Sequence, residues 1–407
     1  MLLTEQPPTR RRSWWPALGL LGLLALIGVV WLGGPAFLAD PTPAPAPTPT
    51  SWPIPYRFDS PAYGVSTHLW WDRWAARGDE TRPGQWQLIQ DAGFGWAKQK
   101  LAWRDVEGIV PGHYDWWAAD QLVEEAEAAG VALIFRIDRP PVWALPQGMT
   151  SDNGPPVDPA DLQSFCYAVA SRYRGRVAGY QVWNEPNLAR EWGGFPPDPA
   201  AYVALLRACY VGVKAADPQA LVISAGLAPT GTTLPDAIPD TEYLTAMYAA
   251  GAAPYFDLLG LNAPGYKAPP EIAPEIAADP AQGYGGQRFF CFRHVEDMRA
   301  IMEQHGDGHK QVALLEFGWT TDQNPDHHDY VWFAVTPEEQ ADYLVRAFAY
   351  AREHWSPWIG PMFVWNMPDP SWTPDNEEFW WAIVDPFHWD EGLPRPAYEA
   401  LRQMEKP

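Results

Sequence analysis

Two glutamates stand where a proton donor and a nucleophile could be built. The first closes the stretch Ala178-Gly-Tyr-Gln-Val-Trp-Asn-Glu-Pro-Asn187, in which Tyr180 and Val182 alternate with Gln181 and Trp183 between Gly179 and Pro186. That pattern reads as a short buried strand ending abruptly at a polar pair, Asn184 and Glu185. A carboxylic acid at a strand end, beside an amide and under a tryptophan, suits a tuned general acid. The second glutamate ends the run Gln311-Val-Ala-Leu-Leu-Glu316 and is followed by Phe317, Gly318 and Trp319. Taken singly, such a motif fits equally well a strand terminator with a solvated glutamate. Two of them, 131 residues apart, suggest carboxylates converging on one rim. The chemistry available to such a pair is glycoside cleavage, with one group protonating the leaving oxygen and the other meeting the oxocarbenium-like carbon.

Short apolar runs recur near Tyr63–His68, Gly95–Leu101, Val131–Ile137, Gly179–Glu185, Ala220–Ala225, Phe256–Asn262, Val312–Glu316 and Met362–Asn366. Amphipathic stretches separate them. Asp115–Ala129 sets Ala119, Leu122, Val123 and Ala126 on one face and stops at Gly130. Thr336-Pro-Glu-Glu339 has the form of a capping box with proline at the first helical position, opening a helix with Tyr343, Leu344, Ala347 and Phe348 on its inner side. Pro394–Met404 supplies a closing helix. Eight strands each followed by a helix predict a single (β/α)8 TIM barrel, in which all strand C-termini share one rim. Glu185 then falls on the fourth strand and Glu316 on the seventh. Two long segments overhang that rim: Ala263 to about Gln287, and Met367 to about Leu393 with Trp372, Phe379, Trp380, Trp381 and Trp389.

The ends Trp183-Asn184-Glu185-Pro186 and Leu315-Glu316-Phe317-Gly318-Trp319 resemble the acid/base and nucleophile signatures of the retaining glycoside hydrolases of clan A, with families 39 and 5 as the nearest groups. The resemblance runs in element order over roughly residues 60 to 405. It implies Glu185 as acid/base, Glu316 as nucleophile, Asn184 as the holder of a sugar 2-hydroxyl, and Trp365 as the floor of the sugar at the cleavage point. Two positions depart from the pattern. Lys98 occupies the second strand where an arginine is common, giving a positive charge without a bidentate fork. On the sixth strand Asn262, with Tyr266 slightly later, stands where many members carry His then Tyr, which leaves the tyrosine partner of the nucleophile open. His68, Arg136 and Asp138 are further rim candidates. Trp70, Trp71, Trp103, Trp143 and Trp319 fit sugar platforms and core packing equally well.

The chain carries 28 basic and 50 acidic residues, a net charge of −22. That argues against a nucleic-acid partner, which needs a basic footprint. It suits a neutral glycan, and equally a soluble secreted domain. The 24 tryptophans fit sugar stacking as well as a core. The three cysteines show no metal-ligand spacing, and the expected chemistry needs no cofactor. Cys166 and Cys209 fall on consecutive helices, where they either pair in an oxidising compartment, leaving Cys291 free, or stay buried thiols.

Ahead of the barrel, residues 1–12 end in Arg10-Arg11-Arg12, and residues 13–39 are uncharged. Those 27 residues would span about 40 Å as a helix, enough to cross a bilayer with the arginines inside. A signal anchor is expected; secretion after signal cleavage is the competitor, although Phe37 spoils a small-x-small site. Residues 40–56 form a Pro-rich linker, and 57–407 the catalytic domain. The expectation is a membrane-anchored, extracytoplasmic glycosidase acting on an oligo- or polysaccharide. A non-catalytic glycan-binding barrel and a transglycosylase that remodels surface polymer are the rival readings.

Overall fold

The strands that the alternating apolar runs predict are present in the computed structural model, which describes residues 58, 60–69, 78–327, 331–386 and 394–407, with backbone alone for 78–83. The expected anchor and linker, and with them Trp70, Trp71 and Trp389, lie outside the described residues. Among the described residues no helix is long and apolar enough to cross a membrane. All of them belong to one unit, Pro45–Pro407.

The strands are β1 (Ala62–Thr67), β2 (Trp96–Ala102), β3 (Ala132–Asp138), β4 (Gly179–Val182), β5 (Leu221–Ile223), β6 (Leu259–Pro264), β7 (Val312–Gly318) and β8 (Ile359–Val364). Each matches an expected run to within about three residues at its ends. They pair in parallel in the order β5-β4-β3-β2-β1-β8-β7-β6. Parallel bridges from Ile223 to Leu258 and from Leu227 to Leu261 close β5 onto β6. The result is a closed (β/α)8 barrel, and all strand C-termini meet at one mouth.

Period-two alternation sorts the side chains into two cores. Ile134, Leu221, Ile223, Leu258, Ala313, Leu315 and Phe363 fill the barrel interior. The opposite faces of the strands, Phe135, Tyr180, Val222 and Leu314 among them, pack outward in the larger core shared with the helices. The Trp117–Ala129 helix buries Ala119, Leu122, Val123 and Ala126 and ends on Gly130 at φ 66°, a left-handed cap that glycine adopts without steric cost. At Thr336 both hydrogen bonds of the capping box form, opening the helix Pro337–Tyr350.

The helices Pro159–Arg172 and Pro199–Ala216 lie in very close contact. A Cβ at Gly212 would sit 2.4 Å from the Gln163 carbonyl oxygen. Cys166 and Cys209 face each other across this contact, Cα atoms 5.3 Å apart, and form a disulfide. Cys291 is a buried free thiol.

One irregularity positions Glu316. Leu261 of β6 pairs with Leu314, but the next residue, Asn262, pairs with Glu316. On the other side, Leu314 and Phe317 of β7 pair with Met362 and Val364 of β8. The seventh strand therefore carries one extra residue near Leu315, a β-bulge. Strict alternation would turn Glu316 outward with Leu314. The bulge lets Leu315 and Glu316 both face inward, and it sets Asn262 opposite the carboxylate.

Candidate active site

Glu185 follows β4 through a turn in which Trp183 and Glu185 both take left-handed backbone angles, φ 76° and 37°. Non-glycine residues hold such conformations only where the surroundings impose them. Here Trp183 is wholly buried and its indole donates to the Glu191 carbonyl at 2.9 Å. The Glu185 amide donates to the Gly226 carbonyl at 3.1 Å. These anchors aim the Glu185 carboxylate into the mouth.

Asn262 Nδ2 donates to Glu185 Oε1 at 2.9 Å and lies 3.4 Å from Glu316 Oε2. The two oxygens therefore lie no more than about 6.3 Å apart, the sum of those two legs. Gly226 makes room for this amide, since a Cβ there would meet Asn262 Oδ1 at 2.1 Å. The place beside Glu316 that the resemblance reserves for a tyrosine is thus held by a carboxamide.

Two cations engage the other edge of Glu316. Lys98 Nζ donates to Glu316 Oε1 at 2.9 Å, and Arg136 Nη1 reaches the same oxygen at 3.4 Å. Arg136 also donates to Asn184 Oδ1 at 3.0 Å and pairs through Nε with the buried Asp138 at 3.0 Å. Burial presses the Lys98 ammonium down to about 8 against the pull of Glu316. Glu185 goes the other way. Burial lifts its carboxyl, Arg190 opposes at 3.1 Å from Oε2, and the charge of Glu316 adds to the rise. The two carboxyls thus sit in different fields: Glu316 is flanked by two cations, whereas Glu185 is pushed toward its protonated form.

Trp365 lies at the end of β8, half-buried, with Lys98 Nζ 5.6 Å from its ring centre and His68 edge-on at 5.3 Å. The Lys98 contact places it beside the carboxylate pair. Tyr266, on the loop after β6, donates to the Pro229 carbonyl at 3.2 Å and packs with Phe290 and Phe333.

Trp143 lies on the loop after β3, where its indole donates to the Gly108 carbonyl at 3.1 Å and its ring meets Trp103 edge-on. Trp319 corrects the expectation of a sugar platform. It has no exposed surface, and its indole donates to the Ala268 carbonyl. Its ring lies so close to Gly265 that a Cβ there would come within 1.9 Å. Trp103 is likewise fully buried.

The sequence reading missed two residues. Lys100 lies two positions after Lys98, on the same face of β2, a spacing that strand alternation could have flagged. Arg190 follows Glu185 by five residues in an irregular turn, where no periodicity points to it.

No protein-family profile matches the chain, and no curated protein does. Solved structures do. A family 39 glycoside hydrolase from the gut symbiont Bacteroides cellulosilyticus WH2 superposes with a TM-score of 0.61 at 21% identity, over 84% of this chain and 62% of that one. An exo-β-1,4-mannosidase from Opitutaceae bacterium strain TAV5 gives 0.52 at 16% identity, over 84% and 58%. Xylanase 10B from Thermotoga maritima gives 0.52 at 15% identity, over 84% and 94%. The chain shares the (β/α)8 barrel fold of these enzymes. It spans less than two thirds of the length of the first two of these enzymes, and at these identities the likeness establishes shared architecture.

Proposed function

We propose that the protein is a retaining β-glycosidase acting on an oligo- or polysaccharide, with Glu185 as acid/base and Glu316 as nucleophile. The observation that carries this reading is the shared contact of Asn262 Nδ2 with both carboxylates, which limits the separation of the two oxygens to about 6.3 Å. Retaining enzymes place their carboxyl groups about 5–5.5 Å apart, whereas an inverting site needs roughly 6.5–9.5 Å to admit a water. The electrostatics agree with the roles. A general acid should hold its proton, as Glu185 is pushed to do, and the carboxylate that would attack is flanked by the two cations Lys98 and Arg136.

In the first step Glu316 attacks the anomeric carbon while Glu185 gives its proton to the departing oxygen. In the second, Glu185 takes a proton from water, the water oxygen bonds to that carbon, and the bond to Glu316 breaks. Asn184, which accepts from Arg136, would hold the 2-hydroxyl. The disulfide supports an extracytoplasmic location, with the chain held at a membrane by residues 13–39.

A screen of aryl β-glycosides and polysaccharides, with the first-formed anomer read by NMR, tests the assignment. Retention of configuration is expected, and initial inversion would overturn it. Substituting Glu316→Gln should cut turnover roughly 10⁴-fold or more while ligand binding survives. A non-catalytic glycan-binding barrel would show no turnover to lose.

A further inference from the structure

The β1–β3 side of the mouth carries more positive charge than the carboxylate pair uses. In register, Lys100 of β2 pairs with Arg136 of β3, and strand alternation puts Lys98, Lys100 and Arg136 on the inward face. His68, directly after β1, lies against Trp365 and Trp372 at the same rim, with ring centres 5.3 and 4.6 Å away. Lys98 is matched by Glu316, and Arg136 by Glu316 and Asp138. Among the described residues, nothing forms a hydrogen bond or ion pair with the Lys100 ammonium, although the residue is partly buried.

His68 Nε2 is buried and also lacks a hydrogen-bond partner. Asp369, on the loop after β8, directs its carboxylate to Ser371. Burial, together with the charges of Lys100, Arg136 and Lys98, holds the His68 ring neutral, so it can donate or accept without adding charge.

A half-buried ammonium without a hydrogen-bonded or ion-paired partner costs free energy, even with the charges of Asp138, Asp105 and Asp369 in reach, and buried polar atoms without partners are exceptions that need a reason. The chain as a whole is strongly acidic, so this gathering of three cations runs against the overall charge. A neutral sugar would leave the Lys100 ammonium without an ion-paired partner.

We propose that the sugar held beside Glu316 carries an anionic substituent, a uronic acid carboxylate or a sulfate ester, seated between Lys100, Arg136 and His68. This names the substrate class of the glycosidase site and rests on that reading. Lys100 supplies an ammonium that has no ion-paired partner among the described residues, Arg136 adds long-range attraction while staying tied to Asn184 and Asp138, and His68 offers Nε2 to a second oxygen.

The test compares matched aryl β-glycosides in the gluco and galacto series, neutral against uronate, with a 6-sulfated glycoside as a third arm. The wild-type enzyme should favour one anionic series over its neutral partner by about tenfold or more in kcat/KM, less so at high salt. K100Q should lose most of that preference. The arm preferred separates carboxylate from sulfate.

A parallel measurement uses E316Q and the double variant E316Q/K100Q, titrated calorimetrically with uronate-containing oligosaccharides. Binding by the first and about tenfold weaker binding by the second is expected. Cleavage of neutral glycosides without an anionic preference would overturn the proposal and leave the glycosidase reading standing. Lys100-dependent anion binding without cleavage of any glycoside would do the reverse. Absence of anionic binding in E316Q would also overturn it.

Discussion

Two of the clusters that bury charge among the described residues are built to opposite rules. One lies at the barrel mouth, around Glu185, Glu316, Lys98, Arg136 and Lys100. The other lies outside the barrel, where His294 joins two helices. Its Nε2 meets Asp240 at 2.8 Å and its Nδ1 meets Asp297 at 3.1 Å, and Asp297 in turn accepts from Arg288 at 2.7 Å. In the outer cluster every ring nitrogen has an acceptor. At the mouth, among the described residues, Lys100 has no hydrogen bond or ion pair, His68 Nε2 and Asn262 Oδ1 have no hydrogen-bond partner, and Glu185 takes a left-handed backbone angle. A complete network stabilises a fold, whereas an incomplete one in a cleft is held ready for a ligand. Substitutions in the two clusters should therefore report on different quantities.

The largest contrast comes from Glu185. Replacing it by alanine should lower kcat about 10²- to 10⁴-fold with an activated aryl glycoside, because the second step loses its base. Added azide should restore turnover and yield a glycosyl azide of retained configuration, since azide needs no deprotonation. The thermal midpoint should fall little or rise, because a strained, buried carboxyl has been removed. A large loss of stability without azide rescue would place Glu185 with the structural cluster.

The outer cluster should do the reverse. Burial alone would lower the His294 pKa, but Asp240 and Asp297 outweigh it and hold the imidazolium up to about 9. A raised histidine pKa contributes stability that is complete below the unfolded value near 6.5 and is lost as the pH rises through about 9. The shift corresponds to on the order of 3 kcal/mol. Denaturant unfolding followed from pH 6 to 10 should show that decline in the wild type. H294Q should be less stable at pH 6 and largely lack the decline, with kcat/KM for an aryl glycoside nearly unchanged at permissive temperature. An identical pH slope in both proteins would remove His294 from the account.

The same contrast explains what could be read from the sequence. The strand runs, the capping box at Thr336, the glycine cap at Gly130 and the two Glu-bearing strand ends are local patterns, and each is present where the spacing puts it. The Cys166–Cys209 bridge needed only the placement of two cysteines on consecutive helices. What escaped was relational. His294 and Asp240 are 54 residues apart with no shared motif. The contact of Asn262 with both carboxylates depends on a bulge at Leu315, and nothing in an apolar run announces an extra residue in one strand. Trp319 was ambiguous because a tryptophan after a catalytic strand can stack on a sugar or on its own core. Only Gly265, 54 positions earlier in the chain, leaves the space that draws it inward.

The smallest effect is also the sharpest test of how the mouth tunes its acid. Arg190 pairs with Glu185 Oε2 at 3.1 Å, but its side chain is 65% exposed. Glu185 also faces the negative charges of Glu316 and Glu191 and the amide of Asn262, while Lys98 and Arg136 lie beyond Glu316. Removing the guanidinium destabilises the carboxylate form, so R190Q should move the alkaline limb of kcat/KM to higher pH. Solvent limits the size of the move. Exposed pairs contribute about 0.2–1 kcal/mol, which corresponds to roughly 0.2–0.7 pH unit. Lys98, at about 8, titrates in the same region, so the direction alone is not enough. Salt provides the discrimination, because it screens an exposed pair far more than a buried one. Raising the ionic strength should shift the wild-type limb upward toward that of R190Q and leave the variant nearly still. An alkaline limb that responds to salt equally in both proteins would mean that Arg190 does not set the proton affinity of Glu185.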